Sequence, residues 1–214
     1  MYQLPYFRED RIDFQHGLIR AHPLGLLISS GADGPVANAI PFHLDPSLGE
    51  RGRLQAHVAR ANGQWREIGA GAPVLVVFQG PHAYVTPSWY RTKQETGKVV
   101  PTWNYAIVQV RGPARIIEDA AWIRAQIEAL TRGQEDRRAE PWAVGDAPEA
   151  FVASQIKGIV GIEIDIAAID GKWKVSQNRS EADRNGVVEG LLAGPDVPSD
   201  AAAMAALVRE HDAP

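Results

Sequence analysis

Between Asp10 and Ala21 the apolar residues Phe14, Leu18 and Ala21 recur at helical spacing, which predicts a short helix there. Pro23 ends it, because proline disfavours a helical residue before it. From residue 24 to about 117 the pattern changes to short apolar runs cut by Gly and Pro. LGLLISS, a turn cluster at 31–34 and VANAIPFHL predict a hairpin. RLQAHVA (53–59), PVLVVFQG (73–80), HAYVTPS (82–88) and AIVQVRGPARII (106–117) predict further strands, and a small closed sheet removes their exposed edges.

The second half mixes types. Asp119 is an N-cap for a helix over 120–132 with Ile123, Ile127 and Leu130 on one stripe and Gly133 as its C-terminal cap. Asp146, Pro148 and Glu149 predict a second helix start, running to about Lys157. GIVGIEIDIAAID alternates Ile162, Ile164 and Ile166 against Glu163 and Asp165, the period of a half-buried strand. Asp170-Gly171 reads as a hairpin turn with KWKVSQ as the return strand. Ser180 opens a helix to about Leu192 that Gly194-Pro195 stops, and 199–210 form a terminal helix docking through Met204, Leu207 and Val208.

At 214 residues with 45% hydrophobic and 22% charged positions, the chain is long enough for one globular domain with its own core. The absence of cysteine excludes thiolate catalysis, Cys-type zinc sites and disulfides. No apolar run reaches membrane-span length and MYQLPYFRED lacks a signal pattern, so the cytoplasm is the default address. A net charge of -4, with no long basic run, speaks against direct sequence-specific DNA binding.

GxGxxG, GxxxxGK[ST] and HExxH are all missing, and no two of the six His lie at helical ligand spacing, so no metal site is expected. Three regions are instead dense in aromatic, amide and hydroxyl residues: HVARANGQW (57–65), GPHAYVTPSWYRTK (80–93) with GKVVPTWNY (97–105), and GKWKVSQNR (171–179). They hold four of the six Trp, while Trp122 and Trp142 read as packing. Arg60, Lys93, Lys98, Lys172, Lys174 and Arg179 lie among them. A planar heteroaromatic ligand carrying a phosphate asks for this mixture of flat walls, amides and cations. The plainer reading is core Trp anchors and solvated cations.

These segments, with MYQLPYFRED, LTRGQE, EPWAVGDAP and GVVEGL, strongly resemble the PaiB-like family, FMN-binding negative transcriptional regulators. The likeness spans roughly residues 1–192 and leaves 193–214 as a C-terminal Ala-rich helical tail. It implies an α+β fold, the FMN-binding split β-barrel with flanking helices, acting as a homodimer with FMN in clefts between subunits. It further implies Asn38, Ile40, His57 and Val58 along the ring, and Arg60 with Asn62 at the phosphate. Thr102, Trp103 and Asn104 would reach the ring from the partner side or an adjacent strand, and Lys174, Gln177 and Asn178 would complete the cleft. Where relatives carry a His before Leu-Pro-Phe this chain has Ala39, which implies a less polar or roomier cleft. No nucleophile with an adjacent base emerges, so catalytic residues stay unassigned. The function implied is a regulator or flavin sensor. The alternatives are a flavin-dependent oxidoreductase of the pyridoxamine-phosphate-oxidase type and, more weakly, a haem-binding barrel using His57 or His82.

Overall fold

The computed structural model describes residues 1–31, 33–69, 73–193 and 200–211. In chain order the elements are β1 (Arg8–Glu9), α1 (Ile12–Ala21), β2 (Leu24–Gly31), β3 (Gly34–Pro41), β4 (His43–Asp45), β5 (Arg53–Ala59), α2 (Gln64–Ile68) and β6 (Pro73–Val85). They continue with α3 (Thr92–Thr96), β7 (Thr102–Ile117), α4 (Ala120–Glu135), α5 (Glu149–Lys157), β8 (Ile159–Asp165), β9 (Ala168–Lys174), α6 (Glu181–Leu192) and α7 (Ala201–Glu210). Two compact units result, one from Met1–Arg11, Gln79–Val108 and Asp170–Pro214, the other from Ile12–Phe78 and Gln109–Ile169.

The second unit is built on an antiparallel sheet with the strand order β3-β2-β6-β7-β8-β5-β4. β2 and β3 form the expected hairpin, Leu24 opposite Pro41 and Gly31 opposite Gly34. Strand alternation puts Leu54, Ala56 and Val58 of β5 into the core and leaves Arg53, Gln55 and His57 on the other face. β8 is buried on both faces from Val160 to Ile164. Its outer face takes α4, whose Trp122 ring packs against Gly161. Ile123 of α4 meets Val144 and, from α5, Val152 and Ile156 in a satellite core. Each such buried side chain stabilises by roughly 1.5–3 kcal/mol.

The first unit holds β1, β9, α3, α6 and α7 with the remaining halves of β6 and β7. Arg8 and Glu9 pair with Lys172 and Gly171. α6 starts where Ser180 accepts from the Asp183 amide, as its sequence predicts. α7 buries Ala201, Met204, Ala205 and Val208, while Leu207 is only half-buried.

Several boundaries move from their sequence expectation. β6 is one strand through Gly80-Pro81 instead of two, and β7 begins at Thr102 and runs through Gly112-Pro113. α4 continues past Gly133 to Glu135. Asp146 closes its own 3₁₀ turn by accepting from the Ala143 amide, so α5 starts only after Pro148. Asp170-Gly171 is no turn: it lies inside β9, where Gly171 pairs with Glu9. β8 and β9 are not hairpin partners, because both hydrogen-bond to β7. The chain instead bends at 166–167, held by amides of Ile166 and Ala167 donating to the Gly52 and Arg111 carbonyls. The Gly194-Pro195 stop lies outside the described residues.

α6 approaches Trp89 so closely that two of its positions exclude a side chain. A Cβ on Gly186 would sit 2.0 Å from the Trp89 carbonyl oxygen, and one on Gly190 would sit 2.3 Å from the indole. Gly186→Ala would gain about 1 kcal/mol of helix propensity. The clash is with backbone, so the net expectation is destabilisation by roughly 1–3 kcal/mol. A urea midpoint at or above that of the unsubstituted protein would contradict this packing.

Candidate functional site

In the second unit, Asn38 and Ile40 share the inner face of β3, with Ile40 buried and Asn38 half-buried. Asn38 donates its amide to Gln64 Oε1 at 2.9 Å. Gln64 is buried and works as a clamp on the hairpin. Its Nε2 lies 3.1 Å from the Leu27 carbonyl, 3.1 Å from Ser29 Oγ and 3.3 Å from the Val36 carbonyl. Asn62 accepts from the Gln64 amide at 3.0 Å and so opens α2. Gln64 sits inside HVARANGQW but was not among the residues expected to matter. The signal for it is an amide at the start of a very short helix, where only burial reveals its partners.

Neighbours on a strand point to opposite faces, and His57 and Val58 obey that rule. Val58 enters the core, and His57 turns outward to α4, its Nδ1 2.7 Å from Gln126 Oε1. Gln126 is itself buried, and its Nε2 has no partner among the described residues. Arg60 is committed to structure. It donates to Glu118 at 2.6 Å and to the Lys157 carbonyl at 3.2 Å, while its amide donates to Gly158 at 2.8 Å. These bonds tie the loop after β5 to the end of α5. The acid that pairs with it is Glu118.

The first unit gathers the other six candidates. Asn104 is buried and exchanges hydrogen bonds with Ser176, Nδ2 to Oγ at 2.9 Å and Oγ to Oδ1 at 3.3 Å. Ser176 has φ 68°, the left-handed region that costs a residue with a Cβ about 1–3 kcal/mol. Gln177 holds this turn, accepting from the Val175 amide at 2.8 Å and donating to the Trp173 carbonyl. Asn178 is exposed. The ammonium of Lys174 donates to Thr102 Oγ1 and to the Trp103 carbonyl, the latter at 2.7 Å.

Lys174 sits in an uncompensated field. Burial, then the charges of Lys172 and Arg179, push its ammonium below the ordinary lysine range. Lys172 lies over the rings of Tyr2 and Tyr105, and Arg179 over Tyr90. Among the described residues none of the three cations has a carboxylate partner. Because the unfolded chain holds the Lys174 proton more tightly, this site weakens the fold while charged and gains from any bound anion. Beside it Trp103 is 53% exposed and Tyr84 46% exposed. Trp103 stacks with His82 at 6.1 Å and meets Tyr84 edge-on at 6.0 Å. A hydroxyl, a desolvated ammonium and two further cations form a donor set suited to a phosphate, and the exposed aromatic rings lie on the paired strands β6 and β7. No group of three or more His, Asp or Glu is arranged to hold a metal among the described residues.

Residues 1–168 match the family model described as "Putative FMN-binding domain". The chain belongs to this family. FMN is its cofactor, and its fold is α+β, an open antiparallel sheet with flanking helices. An uncharacterized protein of Emericella nidulans is 37% identical over 227 residues, with 89% of this chain and 90% of that protein covered. Protease synthase and sporulation protein PAI 2 of Bacillus subtilis is 31% identical over 191 residues, covering 89% of each chain. Among solved structures, the flavocytochrome Anf3 of Azotobacter vinelandii matches at TM-score 0.57 and 14% identity, covering 81% of this chain and 72% of that one. The FAD and heme binding protein of Mycobacterium smegmatis matches at 0.56 and 20%, covering 77% and 71%. These two likenesses concern the fold alone.

The clamp is testable. Gln64→Leu removes the donor from buried acceptors and is expected to cost roughly 1–3 kcal/mol. Gln64→Glu is expected to cost more, since its carboxylate faces two carbonyl oxygens. Thermal unfolding of both variants checks the order, and a neutral Gln64→Leu would remove the clamp from consideration.

Proposed function

We propose that the chain is a homodimeric FMN protein that serves as a negative transcriptional regulator or flavin sensor, with Lys174 and Thr102 receiving the FMN phosphate. The observation that carries the site reading is the carboxylate-free cation group Lys172, Lys174 and Arg179 beside the exposed Trp103 and Tyr84. The sequence offers Arg60 and Asn62 for the phosphate; Arg60's bond to Glu118 and Asn62's to the Gln64 amide weigh against them. The name of the Bacillus relative, a protease synthase and sporulation protein, supports the regulatory side. The net charge of -4 supports regulation through a partner over direct reading of DNA. A flavin-dependent oxidoreductase is the second reading, favoured by the exposure of the aromatic ledge to a would-be substrate.

The dimer reading rests on the outer face of β2, β3 and β6. Leu26 pairs with Ala39 and with Val77, Ile28 with Ala37 and Leu75, and Leu24 with Pro41. Leu24 is 64% exposed and Leu26 39% exposed, so three adjacent strands offer apolar side chains to water. A continuous patch of this kind marks an interaction surface. Ala39, the departure from the family's His, lies on it beside Leu26.

Two measurements test the proposal. Lys174→Ala is expected to weaken FMN about ten- to a hundredfold and to leave riboflavin nearly unchanged, because a charge-assisted contact contributes roughly 1.5–3 kcal/mol. Arg60→Ala serves as the comparison; a larger FMN-specific loss there would return the phosphate to that loop. Light scattering of the unsubstituted protein is expected to give a dimer mass that Leu26→Lys reduces to the monomer. A monomer mass at every concentration would remove the dimer.

A further inference from the structure

In the second unit a groove runs along the end of α4 and meets the rim of the outer sheet face at Leu24 and Pro41. One part is a depression between the last turn of α1, the segment Phe42–Leu44 and the end of α4. Its floor is apolar, with Phe42 and Leu44 both buried. Arg20 and Arg137 stand at its sides. The other part shares Pro23, Leu130 and Gln134 with the first and extends it to Leu24 and Trp142. Trp142 has its amide held by Glu135 at 3.1 Å, yet its ring remains 49% exposed. The groove is therefore amphipathic, with arginines at one end and an exposed indole and leucine at the other.

Charge sets the class of occupant. Among the described residues neither Arg20 nor Arg137, nor the nearby Arg132, has an ion-pair partner. Of the acids close by, Asp45 accepts from Ser47, and Glu135, which lines the groove at the Trp142 end, pairs with Arg138. His43, which also borders the depression, is held below the ordinary histidine range by burial. Asp45 opposes that shift, and Arg132 and Arg20 add to it. The imidazole is therefore neutral near pH 7 and serves as a hydrogen-bonding group, not a third cation. Cations in the last turn of a helix complement its dipole, which accounts for Arg20 and Arg132. It accounts for neither the exposed Trp142 nor Arg137, which stands beyond the end of α4.

We infer that this groove binds a small free amphipathic carboxylate, its anionic head between Arg20 and Arg137 and its apolar body along Leu130 toward Leu24 and Trp142. Guanidinium forks match a carboxylate with two donors each, and the buried floor supplies the apolar contact.

Decanoate is the probe, titrated calorimetrically into the FMN-loaded protein below its micelle concentration. Saturable one-to-one binding is expected, with Arg20→Ala and Arg137→Ala each weakening it about tenfold, the scale of one lost charge-assisted contact. Trp142→Ala is expected to weaken it severalfold, and decanol is expected to bind at least about tenfold more weakly than decanoate. All three side chains are exposed, so the variants should keep their FMN absorbance and unfolding midpoint, which checks folding. Absence of saturable binding overturns the inference, as does equal affinity for decanol or unchanged affinity in both arginine variants. Co-sedimentation with phosphatidylglycerol vesicles in place of decanoate binding would also overturn it, by pointing to a lipid surface.

Discussion

A strand that passes from one compact unit into another must offer an inward side to both, and β6 and β7 do so over 13 and 16 residues. Val74, Val76 and Phe78, then Ala83 and Val85, are the buried apolar set of β6; Ala106, Val108, Val110 and Ala114 are that of β7, where Asn104 is buried through its bonds to Ser176. The shift of one position in β6 occurs at Gly80-Pro81, where two successive residues are buried. An extra residue that re-aims the side chains behaves as a bulge, and it puts His82 and Tyr84 on the outer side. The aromatic ledge beside Lys174 therefore depends on a local irregularity in a long ladder.

The same pair of residues explains why part of the fold was hard to read in advance. Gly-Pro ordinarily punctuates a chain, so β6 reads as two strands. Asp170-Gly171 has the chemistry of a hairpin turn, but pairing with β1 keeps it extended, and β1 is two residues long and carries no pattern of its own. The hairpin β2–β3, the strand β5 and the helices α4 and α6 were legible because their alternation or capping is local. Non-local pairing was not.

For the site, residue type was legible and partnership was not. Amides, aromatics and cations in GKVVPTWNY and GKWKVSQNR do converge in the first unit, through Lys174 with Thr102 and Asn104 with Ser176. In HVARANGQW the same composition serves a different purpose, since Arg60, Asn62 and Gln64 spend their hydrogen bonds on carbonyls, a carboxylate and an amide of the scaffold. Composition announces polar capacity; only the fold decides whether that capacity is already satisfied. Trp142 shows the reverse, a ring expected to pack that stands half in water.

Asn62 is followed by Gly63, the pairing most prone to lose its side-chain amide as ammonia, because an unhindered glycine nitrogen can attack the neighbouring carboxamide. That attack needs a backbone geometry unlike the one found here. Gly63 has φ -62° and ψ -21°, already helical, and the Asn62 side-chain oxygen is held by the Gln64 amide. The fold thus shields a bond that the unfolded chain leaves open to chemical ageing. Damage at this position would accumulate with time spent unfolded, and the isoaspartate product, with an extra methylene in the main chain, would displace the acceptor that starts α2, so that lesion would favour the state that produced it.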